Sequence, residues 1–161
     1  MNKIIIGIDP DTKAHGVAMY LDNKLTVLKC MTLMELHNFL TCDSNFEIDR
    51  VVVHMENVKA NNAVFMPHGR MDKKREGEAK ARGRTLGMCQ QSQTEIERML
   101  EWLGIEIIHH SISKRWKKEK SQFEGCTGWT ARSNEDTRSA AYFGFIGIGM
   151  GKAVLSGTKK D

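Results

Sequence analysis

The chain of 161 residues is long enough for one domain of ordinary size and too short for two, so we expect a single domain over residues 1–161. Apolar residues make up 40% and charged residues 27%, which excludes disordered and fibrous proteins. The four cysteines are far apart, and no signal peptide is recognisable, so we expect free thiols in a reducing cytosol. No apolar run reaches the roughly 18–20 residues of a membrane span, which excludes a membrane protein.

Positive charge is concentrated in two short segments. The net charge is +4, yet residues 59–84 alone carry +5 and residues 114–120 carry +4, so the rest of the chain is acidic. Each segment contains an aromatic residue, Phe65 in the first and Trp116 in the second. Such clustering favours a protein that binds polyanions such as nucleic acids, although two solvated basic surfaces would give the same pattern.

The first half of the chain predicts four strands and one helix. Apolar, β-branched runs predict strands at residues 3–8, 15–21, 25–28 and 50–55. Asn23 marks a hairpin turn between the second and third strands. The apolar spacing of residues 31–40 predicts a short helix with Thr32 as a cap.

The second half predicts a long loop, two helices and one more strand. Residues 57–77 are polar, basic and aperiodic, which predicts a loop with a function, and residues 78–103 predict the longest helix. The polar residues 90–93 in that helix face either a partner subunit or solvent. A strand at 105–110 and a glycine-containing helix capped by Asn134 follow, and we expect these glycines to pack closely against the sheet. The order predicts an α/β fold with a mixed five-stranded sheet, antiparallel for its first three strands and then parallel, flanked by helices.

Three acidic residues stand at the ends of predicted elements. Asp9 ends the first strand, Glu56 follows the fourth strand, and Asp136 opens the last helix. If the first and fourth strands are neighbours, Asp9 and Glu56 leave the sheet side by side, and a helix starting there adds Asp136. Clustered carboxylates repel one another unless a cation neutralises them, and oxygen ligands suit Mg²⁺ or Mn²⁺. Two such ions about 4 Å apart are a known arrangement for phosphodiester hydrolysis, with water as the nucleophile. Taken singly, each acid also fits a turn, surface or helix-start role.

Several motifs resemble those of RuvC-type Holliday junction resolvases. Residues 7–12 (GIDPDT) followed by HGVA at 15–18 are similar to the opening G-I-D-P-G-x-x-x-x-G of that family, with Asp11 in place of a glycine. The strand VVVHME ending at Glu56 and the ARG segment at 81–83 resemble its glutamate strand and its central helix. Residues 113–118 (SKRWKK) resemble a P-x-x-W-K-K stretch of its bacteriophage members, and residues 136–141 (DTRSAA) resemble its closing D-x-x-D-A-x helix.

The resemblance implies a ribonuclease H-like fold, a homodimer, and Mg²⁺-dependent paired nicking of four-way DNA junctions, with two ions per site and Mn²⁺ as a substitute. Asp9, Glu56 and Asp136 would be the catalytic residues and the metal ligands. Ser139 stands at the fourth acidic position of the family pattern. Three carboxylates suffice, or Ser139 acts through water, or Glu135 supplies the missing charge, so Glu135 and Ser139 are candidate fourth ligands.

The basic segments supply candidate contacts to the phosphates of branched DNA. Phe65 either stacks on an opened base pair or packs its own loop, and Trp116 is either a buried anchor or a base contact. Lys114, Lys117 and Lys118 either hold the scissile phosphate or are solvated. The full set of candidate DNA-binding residues is Phe65, Arg70, Lys73, Lys74, Arg75, Lys80, Arg82, Arg84, Lys114, Trp116, Lys117 and Lys118.

Two other functions remain open at this stage. The opening motif also resembles YqgF-type nucleases, which process ribosomal RNA precursors in a related fold. The long basic loop, the long helix and the Trp116 segment count against that alternative. A non-catalytic protein that binds branched DNA is the other, favoured only by the missing fourth acid.

Overall fold

The computed structural model of the protein describes residues 2–43, 45–60 and 72–149. One mixed sheet contains five strands in the order β3-β2-β1-β4-β5. The strands are β1 (Ile4–Asp9), β2 (His15–Leu21), β3 (Lys24–Met31), β4 (Val51–Glu56) and β5 (Glu106–His110). The first three pair antiparallel, whereas β1 with β4 and β4 with β5 are parallel. The predicted fold class is confirmed.

Within the described residues, four helices flank the sheet. They are α1 (Leu33–Thr41), α2 (Lys73–Trp102), α3 (Lys120–Thr127) and α4 (Glu135–Gly147), with short 3-10 turns at Ile48–Arg50 and Val58–Ala60. Thr32 caps α1 through a capping box with Glu35, as its position in the sequence predicts. Asp22 and Asn23 adopt positive φ angles of 48° and 64° in the β2–β3 hairpin, the conformation that a two-residue turn requires.

The alternation of strand side chains divides the core into two layers. Ile6, Ile8, Val53 and Met55 belong to the layer with α1 and the C-terminal part of α2. Ile5 and Val52, on the other face, pack with residues of α4 and with Trp116. Because Asp9 and Glu56 continue the second alternation, they emerge on the face that α4 covers.

Two sequence-based predictions about helices were wrong. The long helix begins at Lys73 and not at 78, so the last five residues of the predicted loop are helical. Asp72 is the reason, because its side chain accepts a hydrogen bond of 2.8 Å from the Arg75 N–H and caps the helix. The segment before Ser133 also contains α3, which packs Phe123 into the core and ends at Gly128 in the left-handed conformation.

One residue in the polar middle of α2 faces the protein interior and not a partner subunit or solvent. Gln93 is fully buried; its amide donates to Asn57 Oδ1 (3.0 Å) and Glu97 Oε1 (2.7 Å), and its oxygen accepts from the Lys59 N–H (3.0 Å). Gln91 is exposed. Gln93 thus holds the segment after Glu56 against α2.

The prediction that the C-terminal glycines pack closely is confirmed for Gly144 and Gly147 and is wrong for Gly149, which has no described neighbour within 4 Å of a Cβ. A Cβ on Gly144 would lie 2.6 Å from the Tyr20 ring, and one on Gly147 would lie 2.6 Å from His54. Gly151 lies outside the described residues. The four cysteines, all in the described part of the chain, form no disulfide. Among the described residues, no helix is both long enough and apolar enough to cross a membrane.

Candidate active site

The parallel pairing of β1 and β4 brings the first two acids to the same edge of the sheet. Ile8 pairs with Met55, so Asp9 and Glu56 are the last residues of two neighbouring strands. Both side chains are buried, with exposed fractions of 3% for Asp9 and 5% for Glu56. The Ser113 N–H donates to Glu56 Oε1 at 3.3 Å, which fixes one side of that carboxylate.

Two glycines allow α4 to deliver the third acid to this edge. A Cβ on Gly7 would overlap the Ala140 carbonyl oxygen, and one on Gly16 would overlap the carbonyl of Asp136. Gly16 is the register partner of Asp9 on β2, so the contact places the first turn of α4 beside Asp9. Asn134 caps this turn by accepting from the Thr137 N–H at 2.9 Å. The structure therefore brings Asp9, Glu56 and Asp136 together, and we call them the acid cluster.

A cleft of about 520 Å³ opens above the acid cluster. All three acids line it, together with Asp11 and Lys117. The exposed half of α2 supplies another wall, formed by Ala81, Arg82, Thr85, Leu86 and Cys89. The cleft is therefore acidic at its floor and is bordered by a helix that carries several basic residues.

Burial and mutual repulsion make the floor of this cleft electrostatically costly. Burial, followed by the negative charge of Glu56, raises the pKa of Asp9 from 3.8 to about 8. Burial and the charges of Asp9 and Asp11 also raise the pKa of Asp136. A bound divalent cation would remove this repulsion. Without a cation, protonation of a carboxylate relieves it.

Lys117 is the basic side chain that reaches the acid cluster. Its Nζ lies 3.5 Å from Asp9 Oδ2, an ion-pair distance, and only 27% of its side chain is exposed. Although burial opposes the effect, the charges of Asp9, Glu56 and Asp136 raise the pKa of Lys117. Lys117 is therefore a fixed positive charge within the cleft.

The two candidate fourth ligands occupy different environments. Ser139 is fully buried on α4. Its hydroxyl lies beside the Asp9 carboxyl group, where it partly opposes the rise in the pKa of Asp9. Its Oγ nevertheless makes no hydrogen bond within ordinary geometry. Glu135 is exposed and does not line the cleft. Of the two, Ser139 is the one beside the acid cluster.

The donor set fits a hard divalent cation. Asp9 Oδ2 and Ser139 Oγ are buried oxygen atoms without a hydrogen-bond partner, and the neighbouring donors are carboxylate oxygens. Such oxygens suit Mg²⁺ and Mn²⁺. In the described part of the chain, no group of three His, Cys, Asp or Glu side chains is arranged around a single position for a metal ion. Rotation of the carboxylates toward the cleft would be needed to ligate one ion.

The predicted DNA-binding residues fall into three groups. Arg82 and Lys117 line the cleft. Exposed positions on α2 and on the turn after β5 are occupied by Lys73, Lys74, Arg75, Lys80, Arg84, Lys114 and Lys118. Phe65 and Arg70 lie outside the described residues.

Of the two roles considered for Trp116, the structure supports the buried anchor and not the DNA contact. Only 2% of Trp116 is exposed, and its ring packs against Phe123, Tyr142 and Phe145 with centroid distances of 5.6, 5.5 and 5.1 Å. A ring enclosed in this way cannot stack on a base, so Trp116 is the buried anchor of its turn.

Three residues near the site were not predicted from the sequence. Asp11 and Cys89 line the cleft, and the buried Arg138 donates to the carbonyls of Trp116 and Lys117. Asp11 lies two residues after Asp9, and this short spacing predicts that both side chains lie near the same cleft. Arg138, two residues after Asp136, was detectable as the last charge in a helix that is mostly apolar from Ala140 onward.

Two solved structures share this architecture. T. thermophilus RuvC in complex with a Holliday junction substrate has a TM-score of 0.55 and 10% sequence identity, over 94% of this chain and 96% of that chain. A second structure of Thermus thermophilus RuvC has a TM-score of 0.55 and 9% identity, over 95% of this chain and 96% of that one. No protein-family model and no curated protein matches the sequence. The chain therefore has the ribonuclease H-like fold of RuvC.

Proposed function

We propose that this protein is a metal-dependent endonuclease that resolves four-way DNA junctions by nicking two opposed strands. The observation that carries the proposal is the acid cluster at the floor of a cleft, at the edge where β1, β4 and α4 meet. The likeness of the fold to a RuvC that was solved with a Holliday junction substrate supports the choice of DNA substrate. The SKRWKK segment supports a bacteriophage-type member.

In this proposal Asp9, Glu56 and Asp136 hold the metal. A divalent cation bound there would activate water and stabilise the leaving oxygen of the phosphodiester. Lys117 and Arg82 line the same cleft and would orient the scissile phosphate by charge. Ser113, by donating to Glu56, keeps that carboxylate directed toward the cleft floor.

Affinity for DNA would come from the exposed basic residues on α2 and near Lys114. Each phosphate contacted by a lysine or arginine releases counterions, so binding should weaken steeply with salt. Paired nicking needs two active sites, and we therefore propose that two copies of the chain act together on one junction.

A non-catalytic protein that binds branched DNA is the second candidate. Ser139 at the fourth acidic position favours it, because a serine supplies no negative charge to a metal site. In that case the protein would bind junctions and leave every strand intact.

The test is cleavage by the purified full chain of four-way, forked and linear duplex DNA, with a structured RNA as a further substrate. Each is incubated with Mg²⁺, with Mn²⁺ and with EDTA. The proposal predicts symmetric nicks in the four-way junction that require a divalent metal. Binding without nicking in either metal would support the non-catalytic alternative, and preferential cleavage of RNA would support a YqgF-like function.

A further inference from the structure

Lys117 is placed differently from the other lysines of its segment. Lys114 and Lys118 are exposed, whereas Lys117 is half-buried and lines the cleft. Its Nζ lies 3.5 Å from Asp9 Oδ2, the buried carboxylate oxygen that makes no hydrogen bond. Of the three lysines in these five positions, only Lys117 is directed to the acid cluster.

The backbone before Lys117 is held in an unusual conformation. Trp116 has a φ of +65°, a left-handed conformation that costs a residue with a Cβ roughly 1 kcal/mol or more. The buried ring of Trp116 offsets this cost by packing with Phe123, Tyr142 and Phe145. Its N–H donates to Glu119 Oε2 at 3.2 Å. The turn that presents Lys117 is therefore anchored on its apolar side.

Arg138 anchors the same turn from α4. Its guanidinium is buried and donates through Nε to the Trp116 carbonyl at 2.9 Å and through Nη2 to the Lys117 carbonyl at 2.5 Å. Nη1 donates to Ser133 Oγ at 3.1 Å. Because Arg138 lies two residues after Asp136 on α4, it ties the backbone of Lys117 to the helix that carries the third acid.

The charges in the cleft then balance one divalent ion. The acid cluster has three carboxylates, and Lys117 offsets one of them. Asp11 and Arg82 also line the cleft, and their formal charges are opposite, so together they add nothing to its net charge. Ser139, buried beside Asp9, adds an oxygen atom without adding charge. A net charge of −2 matches one Mg²⁺ or Mn²⁺, whereas two ions would leave the buried site positive by the same amount.

We propose that Lys117, positioned by Arg138, is a built-in cation of the acid cluster, and that the site consequently binds one divalent ion instead of two. The proposal rests on the assignment of the acid cluster as metal ligands in the proposed function. It differs from the two-ion arrangement that the sequence resemblance implies. Lys117 would occupy part of the space and supply part of the charge of a second ion.

Counting bound Mn²⁺ on the DNA-free full-length protein tests this. Free Mn²⁺ is measured by electron paramagnetic resonance during a titration into the millimolar range. We expect one ion per chain in the wild type. Lys117→Met removes the charge and keeps the length of the side chain, and it should tighten Mn²⁺ binding at least about tenfold. Lys118→Met, an equal loss of charge at an exposed neighbour, should change the affinity less than about twofold.

The positioning role of Arg138 needs its own variant. Arg138→Met should shift the Mn²⁺ affinity in the same direction as Lys117→Met, because the released turn no longer holds the ammonium beside Asp9. Thermal melting of each variant reports on folding. A lower melting temperature with wild-type Mn²⁺ affinity would show that Arg138 is only structural, and would overturn its part of the proposal.

Three results would overturn the role of Lys117. They are two equivalent Mn²⁺ ions per wild-type chain, unchanged or weaker Mn²⁺ binding in Lys117→Met, and no Mn²⁺ binding at millimolar concentration. The count requires no DNA, so it is separable from the nuclease test. A protein that binds one Mn²⁺ and cuts no junction contradicts the proposed function alone. A protein that binds two and cuts junctions contradicts this inference alone.

Discussion

Two clusters of polar side chains near β4 differ in how they compensate the charge of their carboxylates. The first is the acid cluster of Asp9, Glu56 and Asp136. The second is a group around Glu97 on α2, which also includes Lys59, Gln93 and His109 and which we call the Glu97 cluster. Glu97 accepts hydrogen bonds from Lys59 (2.6 Å) and Gln93 (2.7 Å), and His109 Nε2 lies 3.0 Å from it.

The difference appears in the proton affinity of the two sites. Although partial burial opposes the effect, contacts with Lys59, Gln93 and His109 lower the pKa of Glu97. In contrast, burial and Glu56 raise the pKa of Asp9 to about 8, even though Lys117 lies nearby. The Glu97 cluster neutralises its own charge with side chains, whereas the acid cluster leaves charge that an external cation can neutralise. Buried charge without full compensation destabilises a fold and is typical of functional sites.

The strongest way to break this comparison is to neutralise one carboxylate in each cluster. Asp9→Asn should reduce nicking of a four-way junction at least about 1,000-fold, because it removes a proposed metal ligand from the site. Junction binding should persist or strengthen, since a negative charge near the phosphates is lost. Glu97→Gln, the matched control, should keep nicking within about threefold of the wild type.

The measurements are single-turnover nicking rates and gel-shift affinities in the same buffer. Equal loss of nicking and binding in Asp9→Asn would argue that Asp9 is structural. A Glu97→Gln variant as inactive as Asp9→Asn would erase the distinction between the clusters.

A substitution at Gly16 tests how the acid cluster is assembled. Gly16→Ala forces a methyl group against the carbonyl of Asp136 and should displace the first turn of α4, lowering stability by about 1–3 kcal/mol. Nicking should fall at least about tenfold, because Asp136 moves away from Asp9. Denaturant unfolding and nicking rates check both effects.

Gly83→Ala is the matched control for that variant. Nothing lies within 4 Å of a Cβ on Gly83, which sits in the exposed half of α2. Replacing a helical glycine there should raise stability by up to about 1 kcal/mol. A Gly16→Ala protein with wild-type stability and activity would contradict the close approach of α4.

The basic residues at the start of α2 should affect neither cluster and should affect DNA strongly. Replacing Lys73, Lys74 and Arg75 with Gln removes three exposed charges. Junction affinity should fall about 10–100-fold at moderate salt, and the slope of log affinity against log salt should flatten by up to about 3. Binding titrations over a range of salt concentrations measure both. An unchanged slope would exclude these residues from the DNA interface.

The stability of the two clusters should also depend on pH in opposite ways when EDTA is present. Because the folded pKa of Asp9 is raised, its contribution to stability is complete below about 3.8 and is lost as pH rises toward about 8. Asp9→Asn should therefore gain stability over the wild type as pH rises from about 5 to 8.

Glu97 should behave in the reverse manner. Its folded pKa is lowered, so its contribution is present above the ordinary value of 4.5 and is lost as pH falls through the folded pKa. Glu97→Gln should be less stable than the wild type at neutral pH, and the gap should close in acid. Urea unfolding from about pH 3 to about pH 8 measures both differences, and parallel curves for the two variants would contradict the assignment.

The positions of the strands and the meeting of the acids were predictable from the sequence for simple reasons. The β-branched runs of β1 and β4 are short, buried and bounded by polar residues. Neighbouring parallel strands end at the same edge of a sheet. The last residues of β1 and β4, Asp9 and Glu56, are therefore expected to lie side by side. Asn134 fixes the start of α4, and so the place of Asp136.

Other features depend on tertiary contacts that a pattern does not reveal. The first half of α2 is exposed and carries no apolar stripe, so only the cap at Asp72 marks where it begins. Gln93 is buried because Asn57 and Lys59 meet its amide, a match between residues 34 to 36 positions apart. Trp116 in a basic segment resembles a DNA contact until its three aromatic neighbours are known.

The central claim is that the acid cluster binds a divalent metal. Its most direct test is diffraction from crystals of the protein soaked in Mn²⁺, with an anomalous map calculated at the manganese absorption edge. The account predicts a peak in the cleft within ligand distance of Asp9, Glu56 and Asp136, and no such peak in Asp9→Asn crystals. Manganese bound elsewhere, or the same peak in the variant, would contradict it.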